Sequence, residues 1–482
     1  MFVGREAERA QLERAWQSDR FELAVLWGRR RVGKTMLVNE FCRGKKAIQI
    51  TAYLTGVTGS LEHLSRQVSA VLFPRSPITF SSLEELLSVV AEHARDERII
   101  LSIDEFPYLA QSIPETMSIL QMMVDRLFRD TKLMIILTGS SMGFMERQVL
   151  GHESPLYGRR TVQIHLLPFK LTETRMLLPS RSMEEVVTIH SLTGGIPQYI
   201  QYFTPSEPLD ALIEQLFFTK DGLLFNEPNL LLMMEVRDTR TYNQILEVLA
   251  EGKNQISIIA DKTHISMATV SASMANLQEL GIVTNRYPVG RKARRAIWEF
   301  SDQLFAFWYR FVFPYTSLIL SGQTAGVLAK TEKYLPQFLG RSFEAIAQEY
   351  VLNTTELLIT EIGRWWGRDP TTKGEEEIDL VAHDGEGNYI FGGMHVDQRT
   401  SERSDAEYPR PPLNAGHKES RHLFLALQQE RVHRLTQGRC RARWESQIGG
   451  VGGFDRLRKG YYLRYVTVIG FAFAESADPS TM

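Results

Sequence analysis

Val25-Leu-Trp-Gly-Arg-Arg-Arg-Val-Gly-Lys-Thr-Met-Leu37 is an apolar run, a loop with two glycines and three arginines, and then Lys-Thr heading a second apolar run. Gly28 and Gly33 bracket a bend in which backbone N–H groups can close around an anion, and Lys34 adds a cation able to meet terminal phosphates. The spacing is G-x-x-x-x-G-K-T, running through Arg29, Arg30, Arg31 and Val32 to Thr35 and followed by Met36: the pattern of a phosphate-binding loop. Phe21 to Trp27 predicts the strand before it. Thr35 to Phe41, apolar at Met36, Leu37 and Phe41, predicts the helix after it, whose N-terminus favours negative charge. Thr35 is placed to offer a hydroxyl to Mg²⁺. Taken alone, the loop could also be a glycine-rich surface turn.

Outside that stretch, composition sets limits. A chain of 482 residues predicts roughly three domains, and 43% hydrophobic residues suffice for ordinary cores. No stretch approaches the ~18 uninterrupted apolar residues of a membrane helix, and Met1 to Ala10 lacks an apolar signal core, so a cytoplasmic protein without membrane contact is expected. Cys42 and Cys440 form no metal-ligand spacing, which fits a reducing compartment. A net charge of -2 excludes a uniformly basic nucleic-acid binder and leaves room for local patches.

A phosphate loop calls for a strand ending in a Mg²⁺-holding carboxylate, often beside a second acid that orients water. Ile99, Ile100, Leu101 and Ile103 read as a buried parallel strand, with Asp104 at its C-terminal end and Glu105 next as the candidate base. Another apolar strand, Leu133 to Leu137, runs into Thr138-Gly-Ser-Ser. Ser140 is the first candidate to sense the γ-phosphate and Thr138 the second. Farther on, Arg159 or Arg160 is the candidate to stabilise phosphate charge, from its own chain or a neighbour, the alternative being pairing with surface acids.

Six segments in this order, Phe2-Val-Gly-Arg-Glu6, Gly28 to Thr35, Ile103-Asp-Glu-Phe-Pro-Tyr-Leu109, Ile136-Leu-Thr-Gly-Ser-Ser141, Ser154 to Thr161 and Thr193-Gly-Gly-Ile-Pro-Gln-Tyr199, resemble the archaeal-type ATPase family, one of the AAA-type and STAND-like P-loop ATPases. The resemblance covers about the first 220 residues. It implies an α/β core with a helical lid, ATP and Mg²⁺ as ligands, and the roles above for Lys34, Thr35, Asp104 and Glu105. It further implies that Gly4 and Arg5 lie near the adenine, that Pro197 in the lid faces the nucleotide, and that hydrolysis works as a conformational switch or within a ring.

From Tyr242 the pattern is helical to Leu249, again from Ile256 to Ala260, and a third time from about Ser266 to Leu280, with an apolar stripe at Val270, Met274, Leu277 and Leu280. The third helix resembles a helix-turn-helix recognition helix, with Thr269, Ser271 and Ser273 expected on other faces. Ile282 to Tyr287 and Ala296 to Phe300 then have the shape of a β-hairpin wing. Its tip carries Arg291, Lys292, Arg294 and Arg295, suited to DNA phosphates. Docking of protein is the competing use of such a wing. The aromatic run from Phe305 to Phe313 is expected to pack, with base stacking as the lesser alternative.

The helix around Gly340 to Leu352, Arg364-Trp-Trp-Gly367, Glu376 to Ala382 and Tyr389 to Val396 resemble the domain often attached to these ATPases, related to PD-(D/E)XK nucleases. Glu344 and Asp379 match two of its acidic positions. Where Glu-x-Lys is expected, this chain has Gly393-Met-His395, which removes a metal ligand and the cation beside the attacking water, so cleavage is not expected. His395 is a lone metal-ligand candidate. Residues 401–460 carry 12 Lys and Arg against 7 Asp and Glu, either a basic flank for nucleic acid or a solvated tail.

The expected fold is thus α/β: a P-loop core with a parallel sheet (1–170), a helical lid (171–235), a winged helix (236–315), a degenerate restriction-endonuclease-like α/β domain (316–400) and a basic region (401–482). The leading function is an ATP-dependent switch or motor coupled to the winged helix. The alternatives are a DNA-binding regulator with an ATP-controlled state and an ATP-dependent nuclease of mobile-element or defence type. Double-stranded DNA, a protein partner and a second copy of the chain all stay open as partners.

Overall fold

The computed structural model describes residues 2–290, 296–368, 375–386 and 388–392. Its first five strands are β1 (Glu22–Trp27), β2 (Ala47–Thr51), β3 (Ile99–Asp104), β4 (Leu133–Gly139) and β5 (Val162–His165). They form one all-parallel sheet in the order β2-β3-β4-β1-β5. Such a sheet is covered on both faces, which is why β3 and β4 read as unbroken apolar runs. Leu23, Val25, Leu101, Ile103, Ile135 and Leu137 pack with helices Val57–Leu72, Leu83–His93 and Thr116–Arg126. The alternate residues Ala24, Leu26, Ile100, Met134 and Ile136 pack against helices Glu6–Gln17 and Lys34–Cys42. Register opposes Trp27 to Gly139 and Thr51 to Asp104, so β1, β3 and β4 end along one edge, where ligands gather in open α/β sheets.

Beyond β5 the chain turns helical. Helices Leu171–Leu177, Met183–Thr193, Pro197–Gln201, Leu209–Phe217 and Glu227–Glu235 lead into Thr239–Ala250, Ile256–Thr263 and Met267–Glu279, then the antiparallel hairpin of β6 (Val283–Arg286) and β7 (Ile297–Phe300), making a winged helix. One hydrophobic core extends from Phe169 through all of these to Ile346. At its centre is helix Gln303–Phe311, whose Phe305, Phe307, Trp308, Tyr309 and Phe311 are buried. Trp308 donates to the Phe225 carbonyl at 2.6 Å and Tyr309 to Asn243 at 2.6 Å. These rings are core, and none is free to stack on a base.

In helix Met267–Glu279 the stripe of Val270, Met274 and Leu277 is buried as expected, with Thr269 and Ser271 exposed. Ser273, expected on another face, is buried as well, because i, i+3, i+4 and i+7 from Val270 share one side of a helix.

The C-terminal helix begins earlier than the sequence suggested, spanning Ala325–Thr354 with Pro336 inside it. Three antiparallel strands follow in the order β10-β9-β8: β8 (Glu361–Arg368), β9 (Glu375–His383) and β10 (Tyr389–Gly392). The wing joins this sheet. The Val289 N–H donates to the Arg364 carbonyl at 2.9 Å, and the Val289 side chain packs with Trp365 and Val381. Among the described residues no helix is long and apolar enough to cross a membrane.

Candidate functional site

The loop after β1 is built from two backbone conformations that favour glycine. Gly28 sits at φ 152°, where a Cβ would lie 2.3 Å from the Leu166 carbonyl oxygen. Gly33, at φ 98°, begins the helix Lys34–Cys42 and faces open space where its Cβ would be. Inside this cradle the buried Lys34 ammonium donates to the carbonyls of Gly28 (2.8 Å) and Arg29 (3.0 Å). Burial pushes Lys34 down to about 8, opposed by Glu105 and Asp104 and reinforced by Arg30.

Strand β3 delivers the acids. Thr35 donates its hydroxyl to Asp104 Oδ2 at 2.7 Å, and the Thr138 hydroxyl at the end of β4 donates to Oδ1. Glu105, held in left-handed conformation at φ 52°, accepts from the Ser140 hydroxyl at 2.8 and 2.9 Å and from the Ser140 N–H at 3.3 Å. A non-glycine residue there is strained, and such strain gathers at functional sites. Lys34, Thr35, Asp104, Glu105, Thr138 and Ser140, drawn from three strand ends, therefore meet in one place. A hydroxyl beside a carboxylate is an oxygen donor set suited to a hard cation such as Mg²⁺.

The other expected residues are distributed less evenly. Arg5 is buried, and its guanidinium donates to the loop carbonyl of Val32 at 3.2 Å and stacks 4.7 Å above the Phe169 ring. A Cβ at Gly4 would lie 2.4 Å from a Glu173 carboxylate oxygen, so the backbone there runs close to that side chain. Met36 is exposed, and Pro197 is buried at the first turn of Pro197–Gln201. Arg159 is engaged in a two-pronged pair with Asp125 at 2.9 and 2.6 Å, and Arg160 donates to the Val149 carbonyl at 3.1 Å. Among the described contacts, neither joins the phosphate loop of its own chain.

The loop arginines have partners that the sequence does not reveal. Arg31 pairs with the buried Glu227 at 2.8 Å, Arg30 with Glu235 at 3.7 Å and with Glu105 at 4.0 Å, and Arg29 with the buried Asp302. Three adjacent cations announce a need for acids. No local pattern says which of the chain's acids answer it.

In the C-terminal sheet, Arg364 pairs with Glu344 (3.4 Å), Glu377 (3.5 Å) and Glu299. Burial pushes the Glu344 carboxyl up to about 7; Arg364 opposes this, while Asp379, Glu377 and Glu299 add to it. Among the described residues no group of three or more His, Cys, Asp or Glu is placed to hold a metal ion. His395, Arg291, Lys292, Arg294, Arg295 and residues 401–482 lie outside the described residues.

Glu344 yields a pH prediction. Its folded value lies above the ordinary 4.5, so from pH 4.5 to about 7 the folded chain holds a proton that the unfolded chain releases. Its contribution to stability declines as pH rises through that window and is lowest above it. Glu344→Gln should match wild type near pH 5 and exceed it at pH 8 by about 3 kcal/mol at most. Urea unfolding at the two pH values checks this, and parallel pH dependence in both proteins would refute it.

Comparison with known proteins places this geometry. Residues 2–203 match a family described as an ATPase domain predominantly from Archaea. An uncharacterized protein of Methanocaldococcus jannaschii is 31% identical over 389 residues, covering 79% of this chain and 84% of that one. The chain belongs to this archaeal ATPase family. An uncharacterized ATP-binding protein of the same organism is 52% identical over 46 residues, 10% of this chain and 78% of its own. In fold, the Walker-type ATPase PABY2304 of Pyrococcus abyssi is similar with a TM-score of 0.50 at 21% identity, covering 64% of this chain and 96% of that chain. Residues 240–285 match the arsR family of bacterial regulatory proteins, and residues 308–404 match a family described as archaeal and bacterial proteins of unknown function.

Proposed function

We propose that this ATPase-family protein binds ATP with Mg²⁺ and hydrolyses it as a conformational switch coupled to its winged helix. The observation that carries the reading is the convergence of Lys34, the Thr35–Asp104 pair and the Glu105–Ser140 pair at one sheet edge. The loop N–H groups and Lys34 would cradle the phosphates, with Thr35 and Asp104 holding the cation. Mg²⁺, when bound, supplies neutralisation of charge on the phosphate oxygens. Glu105 would orient a water toward the γ-phosphorus and accept its proton, with Ser140 fixing the carboxylate in place. On the same reading Gly4 and Arg5 would lie near the adenine and Pro197 would face the nucleotide, with Arg159 or Arg160 stabilising phosphate charge from its own chain or a neighbouring copy.

Coupling has physical routes. Arg147, just beyond β4, pairs with Glu279 at the end of helix Met267–Glu279 at 2.6 Å. The test is phosphate release from ATP with Mg²⁺, with chelator, and with double-stranded DNA. Release that disappears with chelator is expected, and release indifferent to Mg²⁺ would sink the proposal.

The arsR-family match and the basic run of Arg291, Lys292, Arg294 and Arg295 in the sequence favour a second reading, DNA binding under nucleotide control. Acceleration of release by DNA would support it. For the C-terminal domain we infer a PD-(D/E)XK relative that does not cut. Arg364 sits among Glu344, Glu377 and Glu299, and a guanidinium there competes with any divalent ion for the same carboxylates.

A further inference from the structure

Arg29, Arg30 and Arg31 lie inside the phosphate loop, yet each is turned toward a carboxylate of the helical half. Arg31 meets Glu227 at the start of helix Glu227–Glu235, and Glu227 also accepts from the Tyr199 hydroxyl at 2.8 Å while the Arg31 guanidinium lies 5.5 Å from the Tyr199 ring. Arg30 meets Glu235 at the other end of that helix and is shared with Glu105, while donating to Tyr108 at 3.0 Å. Arg29 meets Asp302, which caps helix Gln303–Phe311 by accepting from the Phe305 N–H at 3.2 Å. Arg31 is also held at φ 68°, a conformation unfavourable to arginine. One loop is thus tied to two helices distant in sequence.

We propose that these three pairs form an ionic latch: the carboxylates of the helical half compete with nucleotide phosphates for the loop arginines, so that filling the loop releases the half that carries the winged helix. The latch rests on the ATP-binding reading above. A partly buried arginine that loses its carboxylate is left as an uncompensated charge, and a triphosphate held in the loop would supply anionic oxygens to satisfy it. Arg30 adds the connection to chemistry, since the same guanidinium lies between Glu105, the proposed base, and Glu235, a lid residue. The Arg29 Nη2 atom is buried without a hydrogen-bond partner, a donor left over once Asp302 is paired.

The experiment measures binding of a fluorescent ATP analogue with Mg²⁺ to the full chain carrying Glu227→Gln, Glu235→Gln or Asp302→Asn, together with X-ray scattering with and without nucleotide. Each substitution neutralises a carboxylate and leaves every loop residue intact, and asparagine preserves the cap at position 302. The expected result is binding about tenfold tighter for Glu227→Gln, the scale of one charge-assisted hydrogen bond. Wild type should expand on binding nucleotide, and the variants should be expanded before it. Glu235 is half-buried, so Glu235→Gln keeps the test in force if either buried variant fails to fold. As a control, Glu97→Gln cuts the Lys46–Glu97 pair, which lies within the ATPase core and joins neither the loop nor the helical half, and should leave affinity unchanged. A wild type that binds no nucleotide defeats the functional reading itself. If wild type binds and the three variants bind equally or more weakly, or Glu97→Gln tightens binding as much as they do, the latch alone is overturned.

Discussion

Lys34→Ala is expected to weaken ATP binding by about 100-fold and to remove measurable hydrolysis. A charge-assisted hydrogen bond contributes about 1.5–3 kcal/mol, so loss of one well-placed phosphate contact alone accounts for about one to two orders of magnitude. The ammonium also bridges the carbonyls of Gly28 and Arg29, and truncation would unfasten the loop at its start. Isothermal titration with ATP and phosphate release under saturating nucleotide are the two measurements. Undiminished turnover would remove Lys34 from the site and the nucleotide reading with it.

Glu105→Gln is expected to separate binding from chemistry. Glutamine keeps the shape of the side chain and an oxygen that accepts from Ser140, so the strained backbone at φ 52° and affinity for ATP should survive within a few-fold. It cannot take a proton from water. General-base catalysis contributes about 10²- to 10⁴-fold, and kcat should fall by about 100-fold or more. Single-turnover hydrolysis alongside equilibrium binding distinguishes the outcomes. An unaltered kcat would make Glu105 a structural residue, and matching losses in affinity and melting temperature would assign it to the fold.

The proposed roles of these two residues rest on different signals in the sequence. Lys34 belongs to a motif whose spacing is dictated by local backbone geometry, so its candidacy is written in eight consecutive positions. Glu105 is recognisable only because an apolar strand precedes it and a phosphate loop precedes that. Ser140 was a candidate phosphate sensor on the same grounds, but its hydrogen bonds to Glu105 come from the neighbouring ends of β3 and β4. Arg159 shows the opposite case: a motif position whose partner, Asp125, lies on a separate helix.

Periodicity and loop spacing act over a few residues, so the parallel core, the order of its phosphate-site elements and the helical stripe of the winged helix can be read along the chain. It takes the folded chain to bring Ser273 onto that stripe's buried side, to join the wing to β8, and to seat Arg364 among Glu299, Glu344 and Glu377. Folding likewise pairs the three loop arginines with Glu227, Glu235 and Asp302. Ion pairing depends on distance in space, and two charges brought together across the folded chain leave no mark in the residues beside either of them.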